Sequence, residues 1–181
     1  MTSMNMTIRA KAGGYRRLES FKATTIIYDF TVEFCKKYVN EYRMCDQMVQ
    51  AARSGRQNIA EGSQASSTSK KFEIKLTNVA RASLEELLLD YEDYLRQHGL
   101  PMWNKDSAEA RKVRNLVYIK NRSYSSYRPY MSHSQSAANT AICIIHQATY
   151  LLNRQLDTLE QQFLETGGFT ERLYHARMNA K

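Results

Sequence analysis

Three carboxylates, Glu86, Asp90 and Asp93, stand at steps of four and three, so a helix through them aligns them on one face. Aligned carboxylates hold metal ions in helical bundles, but the di-iron arrangement needs a Glu-x-x-His on facing helices. Leu95 stands three residues before His98, and none of His133, His146 or His175 follows a glutamate at that spacing. The four histidines are scattered and give no zinc spacing. There is no GxSxG, Walker or dinucleotide-binding glycine pattern, and Cys45 has no base near it in sequence. The acidic face reads as solvated or salt-bridged. No catalytic residue, metal or cofactor is expected, and the chain reads as a non-enzyme.

Cations offer a different chemistry. Arg53 with Arg56, and Lys70 and Lys71 with Lys75, form two clusters; a third lies between Lys105 and Arg128, where seven basic residues face two acidic ones. In this third cluster Arg111, Lys112, Arg114 and Lys120 lead into a loop where Arg122 and Arg128 interleave with Tyr124, Tyr127 and Tyr130. Arginine holds phosphate, and a tyrosine ring gives a base a face worth ~1–3 kcal/mol when it is used. The same loop has a second reading, in which its tyrosines pack back on the protein. The whole chain carries 26 basic and 18 acidic residues, a net charge of +8. Such an excess favours polyanionic partners, although in a bland reading it serves only solubility.

The elements that position these groups follow from composition and period. The 181 residues include only 7 glycines and 2 prolines, and the rest is rich in helix formers, so the expected fold is all-α. Three widely spaced cysteines exclude a disulfide framework and suit a reducing compartment. Cys35 and Cys143 read as small core residues. No apolar run suits a signal peptide or approaches the ~20 residues of a membrane span, so the expected location is cytoplasmic.

Residues 1–14 read as a flexible basic leader. A first helix is predicted from about Leu18 to Tyr42, with Thr24, Ile27, Tyr28, Thr31, Phe34, Cys35 and Tyr38 as its apolar stripe. After a short connection, which demands an antiparallel neighbour, a second helix runs from Met44 to Glu61. Its Met44, Met48, Ala51, Ala52, Gly55 and Ile59 make a narrow face that lets another helix come close. Gly62 is expected at the C′ position, in the left-handed conformation. A Ser/Thr loop offering N-caps precedes a third helix, Lys70 to His98, stopped by Gly99 and Pro101. Phe72, Leu76, Val79, Ser83, Leu84, Leu87, Leu88, Tyr91, Tyr94 and Leu95 are expected to face inward or between neighbours, with Leu89 widening the apolar arc. Within an insert of about 100–131, an extra helix from a capping box at Asp106 and Glu109 to about Lys120 is predicted before the tyrosine-rich loop. The last bundle helix runs from near Ser134, capped by Ser132 and Gln135, to about Thr166. Thr170 then caps a short helix through Ala176, with Phe169 and Leu173 docked on the body.

The motif Asp46–Gln47–Met48, Ala51–Ala52–Arg53–Ser54, Asn58–Ile59–Ala60–Glu61–Gly62, followed by Leu76–Thr77–Asn78–Val79–Ala80–Arg81–Ala82–Ser83–Leu84–Glu85–Glu86–Leu87, resembles a bacterial four-helix bundle family. That family includes proteins encoded in 23S rRNA intervening sequences and the accessory variability determinant of diversity-generating retroelements. Residues 167–173 resemble the suffix of one branch. The resemblance covers most of 15–99 and, more loosely, 134–177. It implies an antiparallel up-and-down four-helix bundle over 15–166, a C-terminal suffix over 167–181, and a homo-oligomer, favouring a pentamer. It also implies a reverse transcriptase or a structured RNA as partner. Within the motif, Gln47, Asn58, Glu61 and Gly62 read as structural, with Asn58 bonding across the bundle and Glu61 pairing with a basic residue. The function expected is a non-enzymatic oligomeric accessory protein that binds RNA or DNA. The alternative is a protein-interaction scaffold that docks partners on the insert and suffix.

Overall fold

A computed structural model describes residues 14–179. The described residues are helical, without strands. Four long helices dominate: α1 (Glu19–Tyr38), α2 (Tyr42–Ala65), α3 (Lys70–Gln97) and α6 (Ser134–Thr166). Two short helices, α4 (Ala108–Asn115) and α5 (Tyr124–Tyr127), lie between α3 and α6, and α7 (Phe169–Asn179) follows. The leader expected for 1–14 lies, but for Gly14, outside the described residues. No helix among them is long and apolar enough to cross a membrane.

Pairwise contacts give the order in space. α1 packs on α2 and α6, and α3 packs on the same two helices. Side chains fix the registers. Cys35 meets Met48 near one end of α1 and α2, and Tyr28 meets Arg56 further along. On α2, Gly55 faces Leu84 and Gly62 faces Glu73 and Leu76 of α3. Ser20 donates to Gln155 at one end of α1, and Tyr38 donates to the Met131 carbonyl at the other. In each pair one chain number rises as the other falls. The core between these helices holds Phe30, Phe34, Met48, Ile59, Leu84, Leu87, Tyr91 and Ile145, all buried. Tyr91 donates to the Thr31 hydroxyl at 3.0 Å, so a phenol in the centre keeps its partner.

Several predicted boundaries move. α1 stops at Tyr38, where Val39 turns extended, rather than at Tyr42. α2 runs on to Ala65, and Gly62 is an interior helical residue, not a left-handed stop. Its lack of a side chain serves close approach: a Cβ there would stand 3.3 Å from the Glu73 carbonyl and from the Leu76 Cβ. Ser69 caps α3 by accepting from the Phe72 amide, and Gly99 has the left-handed φ of 62° that ends it. Phe72 (44% exposed) and Val79 (39%) face outward, as does Leu89 (54%); α3 turns its Thr77 and Ala80 inward in their place. Leu76 is half-buried.

α4 is half the predicted length. Ser107, not Asp106, caps it, and after Asn115 the chain tightens into a 3₁₀ turn at Leu116–Tyr118. The segment read as a tyrosine-rich loop is α5 followed by a 3₁₀ helix, Arg128–Ser132. α6 starts with His133 at its N-cap and no side-chain cap, in place of Ser132. Gly167, with φ 64°, ends it. Phe169 and Leu173 of α7 are half-buried.

Candidate nucleic-acid interface

The four residues of the α2 motif have unlike surroundings. Asn58 does not reach across the bundle. Its amide donates to the Ser54 carbonyl (2.9 Å) and hydroxyl (3.1 Å) on its own helix. The cross-helix tie is one step removed: the Ser54 and Ser83 hydroxyls bond at 2.8 Å, joining α2 to α3. Glu61 is exposed and makes no ion pair among the described residues. Gln47 edges a polar cleft with Gln50, Ser54, Glu86 and Asp90. In that cleft burial raises the Asp90 carboxyl above its usual range, helped by the charges of Asp93 and Glu86. Asp93 is bonded to Arg96 at 2.8 Å. Among the described residues no three His, Cys, Asp or Glu side chains gather as metal ligands.

The first two basic clusters divide. Arg53 is exposed on α2. Arg56 is half-buried, its guanidinium 4.3 Å from the centre of the Tyr28 ring. Burial raises the Asp29 carboxyl nearby, and the Arg56 charge opposes that rise. Arg56 therefore holds α2 to α1 by a cation–π contact. Lys70 pairs at 2.8 Å with the largely buried Glu73. Lys71 and Lys75 remain exposed, flanking Phe72 and Ile74 in a shallow depression.

The third cluster divides likewise. Arg111, Lys112, Lys120 and Arg128 are exposed, whereas Arg114 and Arg122 are half-buried. Arg122 donates to the Tyr127 hydroxyl. The Tyr127 ring is wholly buried, so it has no face to give a base. Burial raises its phenol above the usual range, against the pull of Arg122. Tyr124 packs edge-on against Phe30 of α1, its centre 6.1 Å away, and Tyr130 is half-buried. Of the two readings of this segment, packing back on the helices holds for Tyr127 and Tyr124. The reason is that α1 has a second apolar side, with Ala23, Ile26 and Phe30, outside the stripe read from its sequence.

Tyr42, Tyr118, Tyr150 and Tyr174 are the tyrosines left exposed among the described residues, and two of them, Tyr118 and Tyr150, share a groove. Between α4 and α6 lies a groove of about 950 Å³, lined by Met102, Trp103, Tyr118, Ile142, Tyr150 and Leu151, with Lys105, Arg114, His146 and Gln147 among its polar members. Tyr118 is 85% exposed and Tyr150 61%. Cys143, half-buried and packed against the core, also lines the groove; burial raises its thiol, with Arg114 opposing. The sequence reading passed over Trp103, Tyr118, Tyr150 and Gln147. The available signal was that Tyr118 and Tyr150 fall off every apolar stripe.

The structure does not gather the three basic clusters into one patch. α2, which carries Arg53, packs on α1 and α3, and α4 packs on α6. α6 also packs on α1 and α3, so α2 and α6 are diagonal partners and Arg53 lies across the body from Arg111 and Lys112. No curated protein and no solved structure matches the chain. Residues 18–98, from the residue before α1 to the cap of α3, match the family of the 23S rRNA-intervening sequence protein, one that the α2 and α3 motifs resemble.

Proposed function

We propose that this chain is a non-enzymatic, basic accessory protein of the cytoplasm that binds nucleic acid as a homo-oligomer and assists a structured RNA or a reverse transcriptase. The observation that carries the reading is the set of exposed cations, Arg53, Lys71, Lys75, Arg111 and Lys112, none in an ion pair among the described residues. Paired cations have spent their charge; these five keep theirs for phosphate. The family match over 18–98 supports an RNA setting. The architecture proposed is an antiparallel four-helix bundle of α1, α2, α3 and α6, with 100–131 as an insert and 167–181 as a suffix. The falling registers of α1 with α2, α2 with α3 and α1 with α6 support it. The exposed Phe72, Val79 and Leu89 of α3 support association, in a pentamer on the family's pattern or with another protein as a scaffold.

The test is binding of a labelled single-stranded RNA, measured by anisotropy across a salt series. The expected slope of log affinity against log salt is about −0.7 for each phosphate neutralised. Lys71→Glu with Lys75→Glu, and separately Arg111→Glu with Lys112→Glu, should each weaken binding and flatten the slope while the helical circular dichroism stays unchanged. Absence of binding at low salt, with a protein partner retained after nuclease treatment, transfers the assignment to the scaffold.

A further inference from the structure

We propose that the groove between α4 and α6 receives an unstacked base of a single-stranded nucleic acid. The inference rests on the nucleic-acid reading above and places the base-contacting site within it. The groove is within the size range of small-ligand sites, and its lining is mostly apolar and aromatic with few polar groups. Tyr118 and Tyr150 are 85% and 61% exposed, yet both border the same groove. Large rings left this open across one cleft are stacking faces without a partner.

Another part of the lining is held in place. Trp103 donates its backbone amide to the side-chain oxygen of Asn139 at 2.7 Å. Asn139 is itself buried on α6, and its amide nitrogen bonds the Pro101 and Gln135 carbonyls. The backbone that carries Trp103 is thus fixed before any ligand arrives, and its half-buried ring packs against the core, which lowers the ordering cost of binding. Gln147 donates to the Arg114 carbonyl at 3.1 Å, so its amide cannot flip without setting oxygen against oxygen. Its Oε1 is buried and has no hydrogen-bond partner among the described residues, and Gln147 lines the groove. A base that spreads the wall and brings an N–H to this oxygen satisfies it.

Charge selects the occupant. Lys105, Asp106 and Arg114 border the groove, and α4 carries the exposed Arg111 and Lys112 beside Glu109, so cations outnumber carboxylates around it. An apolar peptide or a second copy of this +8 chain has no use for that rim, whereas phosphates flanking a base match it.

Trp103 is the only tryptophan of the chain and reports on this groove alone. Its fluorescence is followed while intact protein is titrated at low salt with an adenylate decamer as RNA, the same decamer as DNA, and an abasic sugar-phosphate decamer. Anisotropy of labelled strands measures total binding. Quenching by a base-bearing decamer, and none by the abasic one, is expected; which of RNA and DNA quenches more identifies the natural strand. Tyr118→Ala with Tyr150→Ala should weaken base-bearing strands by roughly five- to a hundredfold and leave the abasic strand unchanged. Tyr118→Phe with Tyr150→Phe should keep wild-type affinity, because stacking needs the ring and not the hydroxyl. Strands that bind by anisotropy with a silent Trp103 and unaltered tyrosine variants overturn the groove and leave the nucleic-acid reading standing. No binding of any strand overturns both. A Trp103 signal that follows protein concentration and ignores oligonucleotide gives the groove to a second copy of the chain and overturns the proposal.

Discussion

The α2–α3 contact and the segment between α3 and α6 are built from equally polar-looking sequence, and they obey different rules. In the first, small residues recur over a long helix at steps of three and four. Ala51, Ala52, Gly55, Ile59 and Gly62 are all buried, and α3 comes close along their whole length. In the second, the elements last one or two turns. Tyr127 is wholly buried in a polar stretch and Tyr118 is 85% exposed in the apolar run Leu116–Ile119, although both are tyrosines of one insert. A long helix averages its period over many residues, so its inner face is visible in the chain. A short helix has no period to average, and the partner it meets decides which side chains are covered.

The largest test of that contrast is in the insert itself. Tyr127→Ala should cost about 3–5 kcal/mol, as removal of a buried ring does, while Tyr118→Ala stays within about 0.5 kcal/mol. Urea unfolding midpoints measure both, and equal losses would erase the distinction. Next is the close approach. A Cβ on Gly55 meets the Leu84 Cδ2 at 2.9 Å, so Gly55→Ala forces that side chain aside in a filled core. The overpacking cost of about 1–3 kcal/mol exceeds or cancels the helix-propensity gain of about 1 kcal/mol. Gly62→Ala meets its nearest atoms at 3.3 Å and should cost less. A melting temperature that rises in Gly55→Ala would mean that the helices can ease apart.

A smaller effect is expected from the Ser54–Ser83 tie. A double-mutant cycle to alanine should return a coupling of about 0.5–1.5 kcal/mol, and zero coupling would reduce the bond to decoration. The smallest is a pH effect at Asp90. Its folded pKa is raised, chiefly by burial, so the folded state binds this proton more tightly than the unfolded chain. The favourable contribution is present below the usual carboxylate value and is lost as pH rises through the raised one. Asp90→Asn should therefore gain slightly on the wild type at neutral pH and match it in acid, seen as a flatter unfolding midpoint against pH. No pH dependence of the difference would place Asp90 fully in solvent in both states.

Charge was legible in the chain as an excess, and its uses were not. Lys70, Arg56 and Arg122 look in sequence like Lys71, Arg53 and Arg128. The first three are engaged with Glu73, the Tyr28 ring and the Tyr127 hydroxyl; the others stand exposed. The partners lie three, 28 and five residues away, and only the shortest of these links within a helix, Lys70 with Glu73, follows from spacing.

Helix formers, two prolines and sustained periods determined by themselves that the chain is all-α, that α1, α2, α3 and α6 are its long elements, and that α2 offers a small-residue face. Those properties are local: they depend on rotation about a single helix axis. Which rings lie buried at α5, which cations remain exposed, and the groove between α4 and α6 were decided only by the tertiary structure. Each depends on a meeting of segments distant in sequence, and the covered area that rewards such a meeting exists only once both surfaces are built.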